Sequence, residues 1–257
     1  MRQRSIAILS MAVLIAWTAT AVYAIKPEEN RQTLEKGRLI YERTCLWCHG
    51  AGGNGDGPAG WFIGRYSAPH PRDFVSESFK FRSTPSGELP TDQDLFRTVT
   101  RGIPGFMPSF SSLTEEEQWQ VIAYIKSFNP LFKEGTPPAM DIPFSPVPSS
   151  DTSVERGRNI YLQFGCQGCH GDNGRGNDAT SQAGELRDGR GLLMHATDLT
   201  HRSSFKNGAG PRDIYRTMMT GFDGTPMPSF ANAFQGREDD AWHLINYLLS
   251  LSPPLGP

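Results

Sequence analysis

Cys45-Leu46-Trp47-Cys48-His49 and Cys166-Gln167-Gly168-Cys169-His170 are the two stretches on which the reading of this sequence turns. They use all four cysteines of the 257-residue chain. Their surroundings repeat as well. Glu35-Lys36-Gly37-Arg38-Leu39-Ile40-Tyr41 precedes the first, and Glu155-Arg156-Gly157-Arg158-Asn159-Ile160-Tyr161 precedes the second. Further on, Asp94-Leu95-Phe96-Arg97-Thr98 matches Asp213-Ile214-Tyr215-Arg216-Thr217, and Met107-Pro108-Ser109-Phe110 matches Met227-Pro228-Ser229-Phe230. Trp119 with Tyr124 recurs as Trp242 with Tyr247. A period of about 120 residues is too long for a solenoid and fits two copies of one domain.

Both stretches are C-x-x-C-H, the attachment pattern of c-type haem. Two thiols two residues apart on a helical turn can add to the two vinyl groups, which holds the adjacent histidine beside the iron. Zinc is the first competing reading. It fails on spacing, because 117 residues separate Cys48 from Cys166. A thioredoxin-like pair needs a βαβ setting that the sequence lacks. Disulfides are compatible with export, but two complete haem motifs already account for every cysteine. The sequence therefore predicts two covalent haem c groups, on Cys45 and Cys48 and on Cys166 and Cys169, with His49 and His170 as proximal iron ligands.

The second axial ligand has to come from elsewhere in each copy. Met107 lies 58 residues after His49 and Met227 lies 57 after His170. Each follows a glycine- and proline-containing turn, which can carry a sulfur onto a flat cofactor with no helix in the way. Met218 and Met219 fall on a helical pattern and read as packing. Histidine is the rival ligand. His70 and His195 have matched settings but stand 21 and 25 residues after the proximal histidines. His201 and His243 have no counterpart in the first copy. Met107 and Met227 are the preferred axial ligands. The run Gly50 to Gly57 follows no strand and opens no G-x-G-x-x-G helix, so it reads as a loop at the haem edge rather than a nucleotide loop.

Each copy begins and ends in a helix. Leu34, Gly37 and Tyr41 share one face of the first, and Val154, Gly157 and Tyr161 share the corresponding face in the second copy. Thr114 with Glu117 and Thr152 with Glu155 form capping boxes. The matched mid-helix glycines predict close crossing by the terminal helices, which carry Trp119 and Trp242. No convincing alternating strands occur. Prolines at 130, 137, 138, 143, 146 and 148 predict an extended, semi-rigid connector.

Residues 1–24, with Arg2, Arg4, an apolar run from Ile6 to Trp17 and small-residue sites at Ala19-Thr20-Ala21 and Val22-Tyr23-Ala24, read as a signal peptide. An uncleaved anchor is the competing reading, since Ile6 to Ile25 carries no charge. Either way the rest of the chain lies outside the cytoplasm. A net charge of −2 gives no basic excess for nucleic acid, and 37% hydrophobic residues suffice for a packed core.

From about residue 30 to 253 the chain resembles a dihaem class I c-type cytochrome. The resemblance implies an all-α protein of two tandem cytochrome c domains, 25–130 and 152–257, joined by a Pro-rich linker at 131–151. It implies electron transfer in the periplasm or an equivalent space, without catalysis, between redox partner proteins that the sequence does not name. Membrane contact follows only if the N-terminal segment is kept. In this family a proline carbonyl receives the proximal histidine. Pro58 resembles that proline, and the second copy has none before Pro211. Stronger donation by His49 through Pro58 would lower the potential of the first haem, but the loop before Met107 is apolar and the loop before Met227 carries an acid, Asp223; these loop effects are expected to win and give the first haem the higher potential. A dihaem peroxidase, which needs an iron with an open position, and a haem-bearing sensor are the alternatives.

Overall fold

Asn30 caps the first helix by accepting a hydrogen bond from the Thr33 N–H, and from there the chain is helical with long connecting loops. The computed structural model describes residues 26–64, 69–75, 78–176 and 186–252; the predicted signal segment lies outside them. The first half contains α1 (Arg31–Thr44), α2 (Leu46–His49), α3 (Pro58–Gly64), α4 (Asp92–Arg101) and α5 (Glu115–Ser127). The second contains α6 (Asp151–Gln163), α7 (Gln167–His170), α8 (Pro211–Thr220), α9 (Ala231–Phe234) and α10 (Glu238–Ser250). Among the described residues there is no strand, only the isolated bridges Ile103–Met107 and Arg187–Leu193.

The first and last helices of each half cross at glycine. A Cβ on Gly37 would lie 2.0 Å from the Gln120 carbonyl oxygen of α5, and one on Gly157 would lie 2.0 Å from the His243 carbonyl oxygen of α10. No side chain fits there, so the helix backbones touch. The crossing brings Tyr41 edge-on to Tyr124, with ring centres 5.3 Å apart, and Tyr161 edge-on to Tyr247 at 5.4 Å. Around each crossing an apolar core closes. In the first half Ile40, Leu95, Val99, Trp119, Ile122 and Ile125 are buried together. In the second Ile160, Ile214, Tyr215, Trp242, Ile245 and Leu248 are. Met218 and Met219 belong to the second core, as their helical spacing predicted.

Two local expectations need correction. The capping box at Thr114 and Glu117 forms, but α6 begins at Asp151, two residues before a helix capped by Thr152 would. Ser150 caps it by accepting from the Ser153 N–H, so Thr152 and Glu155 make no box. A serine in extended backbone is as good a cap as threonine, and the earlier one wins the extra turn. The proline-rich connector is extended but not free of packing. Pro130–Glu134 forms a 3-10 turn that buries Phe132 in the first core. Beyond it the Met140 N–H donates to Ser83 O at 2.7 Å. Arg212 donates to Ile142 O at 2.6 Å, and the Asn246 amide to Pro148 O at 3.3 Å. Proline removes N–H donors yet leaves every carbonyl, and those carbonyls take side-chain donors from the second half.

Replacing Gly37 or Gly157 with alanine puts a methyl group into a backbone carbonyl. The gain in helix propensity, about 1 kcal/mol, is outweighed by overpacking of about 3 kcal/mol or more. Denaturant unfolding of each variant should show a net loss of about 2 kcal/mol or more. Variants as stable as the parent would mean that the helices do not cross at this distance.

Candidate functional site

The short helices α2 and α7 hang from the C-termini of α1 and α6 and present the second cysteine and the histidine of each motif. Cys45 continues α1 by donating its N–H to Tyr41 O at 2.8 Å. The Tyr41 hydroxyl donates to Gly50 O at 2.8 Å, and the Tyr161 hydroxyl donates to Gly171 O at 2.6 Å. Each tyrosine thereby ties the residue after the motif histidine back to the helix before the motif. The sequence had placed both tyrosines on the packed face and missed this second role.

Cys45, Cys48, His49 and Met107 line one cavity of about 990 Å3, and so do Cys166, Cys169, His170 and Met227. All eight predicted residues therefore face a single space shared by the two halves, at the upper end of ligand-cavity volumes of about 300–1,000 Å3. His70 and His195 line it too. The unmatched histidines lie elsewhere. His201 is exposed and bonds Asp198; His243 bonds the Ser153 hydroxyl at 2.8 Å.

The imidazole of His49 holds Arg72 O at 3.1 Å through Nδ1, and that of His170 holds Thr197 O at 3.0 Å. A carbonyl only accepts, so Nδ1 carries the hydrogen in both and Nε2 keeps its lone pair. Burial pushes both imidazoles below their ordinary pKa, against the opposing effect of these bonds. The expectation for Pro58 is thus overturned. Pro58 opens α3, and the acceptor for His49 is the carbonyl of Arg72. The second half has the same contact from Thr197, so it lacks nothing. Main-chain acceptance explains why arginine and threonine can occupy equivalent positions. The His49 ring also stacks on Phe74 at 4.5 Å between centres. Phe74 and Leu199 occupy equivalent places, donating their N–H groups to Gly53 O and Gly174 O, both at 2.7 Å.

The methionine loops line the same cavity as the histidines. Gly102 and Gly221 turn the chain out of α4 and α8 with φ of 68° and 65°, where a Cβ would also strike the backbone that follows the turn. The Ile103 N–H donates to Met107 O at 2.8 Å, and the Phe222 N–H donates to Met227 O at 3.0 Å. The rest of Met-Pro-Ser-Phe acts as a fastener. The Ser109 hydroxyl donates to Thr100 O and the Phe110 N–H to Val99 O, and Ser229 and Phe230 do the same to Met219 O and Met218 O. Matched spacing signalled the methionine; the role of the serine needed the fold.

Two features escaped sequence reading. Phe79-Lys80 and Phe205-Lys206 are matched and line the cavity. The Lys206 ammonium donates to the Thr197 hydroxyl at 3.2 Å and sits 5.5 Å from the Phe106 ring of the first half. The partner of Asp223 is the second. The carboxylate is held by Arg82 at 2.7 Å, so it is not the unbalanced acid expected to lower the potential of the second haem. The main charge-based ground for a higher-potential first haem is removed.

The donor set fits haem. It combines two imidazole nitrogens, two thioethers and four cysteines without disulfides, around mostly apolar walls. Burial raises the thiol pKa values of Cys45, Cys48 and Cys166, the last to about 11. Among the described residues no group of three or more histidine, cysteine, aspartate or glutamate side chains is placed to hold a metal ion, so the zinc reading gains no support. Changing Tyr41 or Tyr161 to phenylalanine removes the hydroxyl donor and leaves the glycine carbonyl only the 3.3 Å bond from the Gly53 or Gly174 N–H, which should cost about 0.5–1.5 kcal/mol in chemical unfolding. An unchanged midpoint would remove these hydroxyls from the scaffold.

Comparison with known proteins agrees with the two-copy organisation. Residues 32–125 match the family model described as cytochrome C oxidase, cbb3-type, subunit III. Residues 154–252 match the model described as cytochrome c. No curated protein matches the chain. Among solved structures it is similar to a chain of the reducing HAO-like protein complex of Kuenenia stuttgartiensis, with 37% identity, a TM-score of 0.76, and coverage of 85% of this chain and 96% of that one. With two cytochrome c domains in tandem, each implying a covalently bound haem c, this chain belongs to the dihaem class I c-type cytochromes, whose domains carry out electron transfer.

Proposed function

We propose that the chain is an exported electron-transfer subunit of an oxidoreductase complex, taking single electrons from one redox protein and passing them to another through two haems in one protein envelope. The observation that carries this reading is the single apolar cavity bearing both donor sets. Similarity to a chain of a reducing HAO-like complex supports the complex-bound form over a freely diffusing carrier. Cys45 with Cys48 and Cys166 with Cys169 would form the thioether links. His49 with Met107, and His170 with Met227, would cap the two faces of each iron.

Each haem, once bound, supplies a one-electron couple. The chain does the rest. The carbonyls of Arg72 and Thr197 fix the tautomer and orientation of the histidines and raise their donor strength. The glycine turns and serine fasteners tie the methionine loops to α4 and α8. With His49 and Met107, and His170 and Met227, as the ligands the chain would supply, no position would stay open for a substrate, which favours electron transfer over the peroxidase reading. Methionine is preferred to His70 and His195 because its two loops share the same geometry. The histidines do not match in this way: His70 Nδ1 lies 3.1 Å from Arg190 Nη1 of the second half. Export follows from the N-terminal segment read as a signal peptide. No helix among the described residues is long and apolar enough to cross a membrane.

Extraction of the purified holoprotein with acid and organic solvent should leave the haem on the chain, with a mass two haems above that of the polypeptide. Haem passing into the solvent would contradict thioether attachment.

Alanine at Met107 or at Met227 should abolish the methionine–iron absorption of one haem only and lower its potential, whereas alanine at His70 or His195 should spare that absorption. The reverse pattern would transfer ligation to histidine. Sustained peroxide reduction by the parent protein would favour the peroxidase reading.

A further inference from the structure

Arg82 is completely buried although it lies between the two halves. Its guanidinium makes four hydrogen bonds. Two stay within its own loop, Nη1 to Phe79 O at 2.9 Å and Nε to Pro85 O at 3.1 Å. Two cross to the other half, where Nη2 reaches Thr220 O and Asp223 Oδ1, each at 2.7 Å. Thr220 ends α8, and Asp223 lies in the turn that leads to Met227. The rest of the Asp223 carboxylate is also taken by the first half. The Ser86 hydroxyl donates to Oδ1 at 2.6 Å and the Gly87 N–H to Oδ2 at 2.7 Å. Nearby, Phe81 meets Phe222 edge-on at 5.4 Å.

This clasp is not a product of the repeat. Phe79-Lys80-Phe81-Arg82 corresponds to Phe205-Lys206-Asn207-Gly208, so glycine stands where the second copy would need an arginine. The turn before Met107, Ile103-Pro104-Gly105-Phe106, has no acid for such an arginine to hold. The clasp is therefore one-sided: the first half grips the methionine loop of the second through an arginine–carboxylate pair, and among the described residues no such ion pair runs back to the loop of Met107, which meets the Lys206 ammonium over the Phe106 ring.

We propose that Arg82 is a positioning residue for the second haem: by holding Asp223 and Thr220 it keeps the Met227 loop seated and cancels the carboxylate charge of that loop, so that the first domain tunes the second domain's potential. The inference rests on Met227 being the iron ligand. The signs of the charge effects follow from electrostatics. A negative charge stabilises the oxidised iron centre and lowers its potential, and a positive charge does the opposite. A buried pair is nearly neutral from outside, while either partner left alone acts with its full charge in a poorly screened site.

The test is a potentiometric titration of the holoprotein carrying R82Q, D223N, both changes together, or R82K. The Met227→Ala variant identifies which wave belongs to the second haem. If it moves no wave, the ligand reading fails, and that failure is separate from the present one. R82Q should shift the second wave downward and D223N should shift it upward. The double variant, which buries no charge and so removes the folding hazard of the singles, should return it close to the parent. The first wave should stay in place. R82K keeps the charge but cannot span both acceptors. It should leave the potential near the parent and weaken seating, so that added imidazole displaces the methionine at the second iron about tenfold more readily, the equivalent of one charge-assisted hydrogen bond. Shifts of equal sign in R82Q and D223N, a double variant as displaced as the singles, or imidazole affinity unchanged in R82K would each overturn the proposal.

Discussion

A backbone-to-backbone contact that only glycine permits holds each half of this protein in shape. Where α1 meets α5, and again where α6 meets α10, a glycine lies against a carbonyl oxygen with no room for a methyl group. That closeness lets Tyr41 and Tyr161 pack edge-on against Tyr124 and Tyr247 while their hydroxyls bond the glycine carbonyls behind the motif histidines. Helix crossing, tyrosine position and histidine position are thus one chain of constraints. A shift at the crossing would be felt at the imidazole.

The second constraint is the use of main-chain groups at the site. Both histidines are oriented by carbonyls, and both methionine loops are fastened by N–H and C=O groups of the preceding helix. Main-chain partners persist through side-chain changes. Arg72 and Thr197 do the same work for their histidines although nothing in their side chains is alike, and Phe74 and Leu199 make the same backbone bond. Two copies that have drifted apart in sequence can therefore keep one geometry.

Where the copies do differ is at their boundary. Arg82 reaches across to the turn of Met227, Lys206 stands over Phe106 of the first half, and the proline-rich connector receives bonds from Arg212 and Asn246. These contacts turn two similar domains into one asymmetric body around a common cavity. Burying an arginine is costly unless every donor is engaged and the charge is met. For Arg82 four of the five N–H donors are engaged, and the two bonds from Nη2, including the ion pair with Asp223, exist only with the second half in place.

The sequence by itself determined the repeat, the all-helical class and the covalent attachment chemistry, and it picked out eight residues that all line the cavity. Those are properties of spacing: thiols two residues apart, a histidine next in line, apolar residues at helical period, a methionine at a matched distance. It also announced the helix crossing, because a glycine in mid-helix is unfavourable unless something must come close. Only the tertiary structure decided which carbonyl receives each histidine, that the connector is held by the second half, and that Asp223 is neutralised. The reason is common to all three. A hydrogen-bond acceptor on the main chain has no residue-specific signature, and a charge has no fixed effect until its partner is known. Pro58 looked like the acceptor because a sequence displays residue types; the fold brought Arg72 O to His49, 23 positions away along the chain.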